Sequence, residues 1–201
     1  MTKFQNKYRI ESTRLPEWDY SNPGLYFVTI CTKNMIEWFG RVSDGKMKLN
    51  SLGEVVAKEW RYTPKIRNYV ELFEWVIMPN HFHGIIGVNE TVEPTGSVVS
   101  NKKESTGSVG TNSNETIQRI VSTTLKPDSL GSIIGQFKSV CTKRIRKTIN
   151  PRFGWQPLFW DHIIRNEKSF DRIQKYILLN PQNWTRDKNN RNMDMDFAKK
   201  L

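Results

Sequence analysis

Two cysteines in 201 residues, Cys31 and Cys141, are too few and too far apart for a disulfide framework or a thiolate metal site. That scarcity fits a reducing compartment. No stretch approaches the roughly 18 continuous apolar residues of a membrane span. The first residues, Met1-Thr2-Lys3-Phe4-Gln5, lack the apolar run of a signal peptide, so a cytoplasmic location is expected. Acidic residues are also short: 20 Asp and Glu stand against 31 Lys and Arg, a formal charge of +11. That balance points to a polyanionic partner, of which nucleic acid is the usual one. Aromatics are plentiful overall, yet residues 89–129 contain none and are dense in Ser, Thr, Asn and Gly. A segment that buries no apolar area cannot offset its ordering entropy. It is expected to be a disordered insertion, with a possible short helix at Thr116–Leu125, inside one domain spanning 1–186; 187–201 would be a charged, frayed tail.

Histidine is scarce as well, and its placement is informative. Of the 3 histidines, His81 and His83 share the run Val76-Ile77-Met78-Pro79-Asn80-His81-Phe82-His83-Gly84-Ile85-Ile86. Strand side chains alternate faces, so the two imidazoles point one way and Phe82 the other. Two imidazoles on one strand face are two thirds of a divalent-metal site. A His-x-His pair alone is more often structural, so the reading depends on what else the chain brings to that face.

Around this run the pattern alternates between strands and helices. Leu25–Thr32 is rich in β-branched and aromatic residues and reads as a central strand. Ile36–Val42 and Lys46–Leu49 flank Asp44-Gly45, a hairpin turn. Asn50 or Ser51 can cap a helix striped by Leu52, Val55, Val56 and Trp60. Tyr69–Ile77 and His81–Val88 read as strands separated by Pro79, which cannot donate a ladder hydrogen bond. Ser129 or Asp128 opens a helix with Leu130, Ile133, Ile134, Phe137, Val140, Cys141 and Ile145 on its buried face.

Lys138, Lys143, Arg144, Arg146 and Lys147 occupy the rest of that helix. On a single helix such a run is ordinarily a solvated face. Here the excess persists: Ser132–Arg186 holds eleven Lys and Arg against three Asp and Glu. The stretch Trp155–Asn166 interleaves aromatics with basic residues, a pattern suited to stacking on single-stranded nucleic acid. Trp155, Phe159 and Trp160 serve equally well as core packing. Candidates for the nucleic-acid surface are therefore Trp160, His162, Arg165 and, on the last helix, Arg172, together with the five basic residues above. That last helix is expected from near Ser169 to Leu179, with Phe170, Ile173 and Ile177 buried and Asn180-Pro181 ending it. At 100° per residue, Tyr176 and Asn180 lie on neighbouring azimuths. One rigid element can thus deliver a phenol and an amide oxygen together.

Taken as an ordered set, these segments resemble a known family. His81-Phe82-His83 resembles the HUH motif (His, hydrophobic, His) of single-tyrosine transposases. Ser132–Ser139, Trp160–Glu167 and Tyr176-Ile177-Leu178-Leu179-Asn180-Pro181 extend the likeness, in particular to the REP-associated tyrosine transposases. The resemblance implies a ferredoxin-like, RRM-like α+β sandwich. Its antiparallel sheet would carry helices mainly on one face, with an N-terminal hairpin added. It implies Tyr176 as nucleophile and His81, His83 and Asn180 as ligands of Mg²⁺ or Mn²⁺. It also implies single-stranded or hairpin DNA as partner, a monomer or homodimer, and association with the nucleoid when bound to DNA. A phenol titrates near ~10, and a nearby ion and basic side chains would favour its phenolate. Two other classes share these residues. One is a non-catalytic binder of DNA hairpins; the other is a hydrolase with zinc on His81, His83 and His162.

Overall fold

The strand-forming stretch ahead of Thr32 becomes β1, Gly24–Cys31, the third strand across a four-stranded sheet. The computed structural model describes residues 18–90 and 128–190. Most of the 89–129 insertion, its Thr116–Leu125 helix and the tail beyond Asn190 lie outside those residues. After β1 comes a hairpin of β2, Gly40–Ser43, and β3, Lys46–Leu49. Asp44 and Gly45 both have positive φ, 55° and 68°, as a tight turn matched to strand twist requires. The expected first strand of the hairpin is shorter than its sequence pattern, starting at Gly40.

Helix α1, Ser51–Ile66, opens on Asn50, whose side chain accepts the backbone N–H groups of Leu52 and Gly53. Strands β4, Val70–Ile77, and β5, His81–Val88, follow. Helix α2, Leu130–Thr148, is capped by Ser129, and its expected apolar face is buried from Leu130 to Ile145. Strand β6, Trp160–Ile164, and helix α3, Glu167–Leu179, complete the described chain, with a 3₁₀ turn at Trp184–Arg186. Among the described residues no helix is long and apolar enough to cross a membrane.

The sheet order is β4-β5-β1-β6, and each neighbouring pair is antiparallel. With the hairpin set aside, the element order β1-α1-β4-β5-α2-β6 is the β-α-β-β-α-β run of a ferredoxin-like fold. The α+β class expected from the sequence is therefore the one observed, hairpin included.

All eight residues of β5 are buried, because both sheet faces are covered. On one face, Phe82 and Ile86 join Tyr26, Val28 and Ile30 of β1 beneath α1 and α2. On the other, Ile85 and Phe27 meet Ile173 and Ile177 of α3. Gly84 is required by the first face. A methyl group there would come within 2.9 Å of the Phe82 ring and 3.0 Å of Trp60, which pack with centroids 4.5 Å apart. Two helices on one side leave the opposite side to α3 alone, and the histidines face it.

Candidate active site

Register places the site. His83 pairs with Thr29, which pairs in turn with Trp160, so these three form one transverse row on the α3 side of the sheet. His81 lies one step along the same face, opposite Cys31. The imidazole centroids are 4.5 Å apart. Asn166 caps α3 by accepting the Ser169 N–H, so the helix begins two residues before the expected Ser169. Ile173 and Ile177 seat the helix on the sheet, and Tyr176 emerges at its rim, 43 % exposed. The Tyr176 hydroxyl lies 3.2 Å from His83 Nε2.

The hydrogen bonds around His81 determine its tautomer. Asn80 is fully buried, and its Nδ2 donates to the carbonyls of Met35 and Asn189. Its Oδ1 must therefore face His81 Nδ1, 2.8 Å away. A carbonyl oxygen can only accept, so Nδ1 carries the proton. His81 Nε2 then presents a bare lone pair to the site, where it is buried without a hydrogen-bond partner. His83 Nδ1 is 2.8 Å from Thr29 Oγ1, leaving Nε2 to face the phenol. Burial lowers the pKa of His81 to about 4, opposed by the Asp187 carboxylate. Burial and then the neighbouring His81 hold His83 well below the usual imidazole range. Both rings are neutral near pH 7, as metal-ligating imidazoles must be.

Asn180 is buried at the C-terminal end of α3, and its Oδ1 also has no hydrogen-bond partner. A buried polar atom without a partner costs free energy unless something satisfies it. Two such atoms are His81 Nε2 and Asn180 Oδ1, and an imidazole nitrogen with an amide oxygen is a donor set that fits a divalent cation. Among the described residues, one group of three His, Cys, Asp or Glu side chains has its ligating atoms within 4.8 Å of one another: His81, His83 and Asp187.

Composition places Asp187 at the start of the charged tail. Instead its side chain is 5 % exposed, with Oδ2 3.9 Å from His81 Nε2. The Asn189 N–H donates to its Oδ1. Asp187 also changes the electrostatics expected for Tyr176. The phenol is pushed up, first by burial and then by the Asp187 charge, with the Asn180 hydrogen bond opposing. The basic side chains expected to favour phenolate do not outweigh these effects, so the phenol is protonated at neutral pH.

His162 is not part of this group. It pairs with Phe27 on β6, two strands from β5, and lines a separate surface hollow with Arg165, Asn166, Lys168 and Arg172. The zinc site of His81, His83 and His162 is overturned by that separation. The aromatic stretch divides: Trp155 is buried in the core, whereas Trp160 is 48 % exposed beside the histidine row. Trp160, Arg172, Lys175, Arg186 and Lys188 line the cleft of about 920 Å³ into which Tyr176 opens.

The basic residues of α2 lie across the sheet from Tyr176, on the α1 side. Several are engaged internally. Lys138 Nζ donates to the carbonyls of Gln156, Pro157 and Leu158. Arg144 pairs with buried Glu59 at 2.9 Å, and Arg146 Nε donates to the Phe153 carbonyl. Lys143 and Lys147 are exposed.

No protein-family model matches the chain. A protein of Haemophilus influenzae (strain ATCC 51907 / DSM 11121 / KW20 / Rd), bearing the description "Uncharacterized protein", is 36 % identical over 176 residues. The match covers 88 % of this chain and 90 % of that protein. Among solved structures, a REP-associated tyrosine transposase bound to a REP hairpin superposes with a TM-score of 0.52. The two are 19 % identical, and the match covers 88 % of this chain and 77 % of that one. The likeness is one of fold, and it agrees with the topology implied by the sequence resemblance.

Proposed function

The chain belongs to one family with the Haemophilus influenzae protein and has the fold of a REP-associated tyrosine transposase, and from this premise we propose that it is a single-tyrosine DNA transposase-like enzyme. Its reaction would cleave and rejoin single-stranded, hairpin-forming DNA. The observation that carries this reading is the placement of the Tyr176 phenol 3.2 Å from His83 Nε2, next to the orphaned His81 Nε2 and Asn180 Oδ1.

His81, His83 and Asn180 would hold Mg²⁺ or Mn²⁺, with two imidazole nitrogens favouring Mn²⁺. Bound there, the ion supplies Lewis-acid polarisation of a scissile phosphate oxygen. Thr29 and Asn80 hold the two rings in the orientation that presents Nε2. Tyr176 Oη attacks phosphorus in line; the new Oη–P bond forms as the bond from phosphorus to the 3′ oxygen breaks. The phenol gives up its proton, and the departing 3′ oxygen takes one up. The products are a 5′-phosphotyrosine and a free 3′-hydroxyl. Reversal with another 3′-hydroxyl rejoins strands without ATP, because the phosphodiester is stored on the side chain.

The cleft walls suit the substrate. Arg172, Lys175, Arg186 and Lys188 offer phosphate contacts around Tyr176, and the exposed Trp160 ring offers a stacking surface for an unpaired base. His162 and Arg165 extend the basic track past the start of α3. Lys143 and Lys147 on the far side remain available to a hairpin stem.

The test is incubation with single-stranded hairpin DNA and Mn²⁺, followed by a denaturing gel. Wild type is expected to give a shifted protein–DNA band. Tyr176→Phe is expected to bind the hairpin with similar affinity and give no band. Cleavage at the same position by Tyr176→Phe would refute the nucleophile. Binding without any adduct from the wild type would instead identify a non-catalytic hairpin binder.

A further inference from the structure

The facing of His81 and Asp187 requires an explanation that their chemistry does not provide. The pair is not a salt bridge, because the His81 proton is on Nδ1, held by Asn80. What meets at 3.9 Å is a lone pair on Nε2 and a carboxylate oxygen, two acceptors with no proton between them. Both side chains are almost wholly buried, His81 at 0 % and Asp187 at 5 % exposure. Water therefore does little to screen the clash. A cation between them would turn this repulsion into attraction.

Resting on the reading of His81 and His83 as ligands, we infer that Asp187 is a further metal ligand, a carboxylate supplied by the segment after α3. The ligating atoms of His81, His83 and Asp187 lie within 4.8 Å of one another. Two ligands on opposite sides of a divalent ion at about 2.1 Å each stand about 4.2 Å apart, so the group is of the right size. Asn180 Oδ1 is buried in the same cleft and has no other partner. Two imidazoles, a carboxylate and an amide oxygen form a mixed set that suits Mn²⁺ over Mg²⁺, which prefers oxygen throughout. The ion would tie together the sheet, the end of α3 and the segment at Asp187. That segment is already fastened by the Asn189 carbonyl on Asn80 and by the Asn189 N–H on Asp187.

The experiment is calorimetric titration of Mn²⁺ into the full chain, comparing wild type, Asp187→Ala, Asp187→Asn and His81→Ala. Asp187→Asn keeps the acceptor for the Asn189 N–H and the side-chain shape, so it guards against loss of fold. Asp187→Ala is expected to weaken Mn²⁺ binding at least about tenfold, and Asp187→Asn to weaken it less, because the amide loses the charge but keeps an oxygen ligand. Mn²⁺ should also slow exchange of the Asn189 amide proton in wild type and leave it unchanged in Asp187→Ala. Wild-type affinity in both Asp187 variants, with binding lost in His81→Ala, would overturn the inference and leave the histidine site standing. Wild-type affinity in His81→Ala would overturn both.

Discussion

Asn80 shows how one side chain can decide a site without touching substrate. Its amide nitrogen is committed to two carbonyls, so its oxygen has to accept from His81. Remove the amide and His81 is free to place its proton on Nε2, where it would repel a cation. Asn80→Ala is expected to weaken Mn²⁺ binding about tenfold or more, as loss of an orienting partner generally does. It also strips partners from two carbonyls and one N–H, which should cost about 2–4 kcal/mol of stability. Urea denaturation and Mn²⁺ titration of the same preparation measure both effects. A variant that lost stability but kept full Mn²⁺ affinity would show that the ring needs no such clamp. At this scale the sequence was partly legible. Spacing puts His81 and His83 on one strand face and Tyr176 beside Asn180 on one helix, but only the family resemblance gives the four residues roles. Asn80 carries no local signal of its role, since its partners Met35 and Asn189 are remote in sequence. Asp187 was read as tail for the same reason: its burial comes from a long-range contact with His81, and no local periodicity records that.

Between residues and molecule, α3 is the element on which the proposed activity turns. Ile177 is 1 % exposed and sits one residue after Tyr176, holding the helix to Phe27 and Ile85. Ile177→Ala is expected to cost about 2–5 kcal/mol, from lost burial and the cavity left behind. The more specific effect is on placement. A phenol displaced by about 1 Å can lose about a hundredfold in rate. Well below the melting temperature, the variant should bind hairpin DNA normally and form the adduct about ten- to hundredfold more slowly. An unchanged adduct rate in a destabilised but folded variant would mean that substrate, not the helix seat, positions Tyr176. The apolar stripe of α3 was legible because its spacing is helical. Which sheet face it covers was not, since α1, α2 and α3 each show one apolar stripe and none names its partner. The irregularity of β4 between Leu72 and Trp75, which keeps Trp75 opposite Gly84, was equally invisible to alternation.

Over the whole molecule, composition overstated the basic surface left free for a polyanion. The formal charge of +11 counts every Lys and Arg alike, yet the structure divides them. The ammonium of Lys138 is surrounded by three carbonyls of the Gln156–Leu158 loop, and Arg144 neutralises buried Glu59. Arg172 and Arg186 instead line the cleft that holds Tyr176. Each phosphate neutralised on single-stranded DNA contributes about −0.7 to the slope of log affinity against log salt. Arg172→Ala and Arg186→Ala should therefore each flatten that slope by about 0.7. Lys138→Ala should leave the slope unchanged while lowering the melting temperature, because its loop carbonyls lose their donor. Anisotropy of a labelled hairpin across about 50 to 200 mM KCl separates the two behaviours. Equal slopes for wild type and both arginine variants would move the DNA track out of the cleft. A flattened slope for Lys138→Ala alone would shift it to the α2 face, across the sheet from the phenol, and would divorce the binding surface from the proposed chemistry.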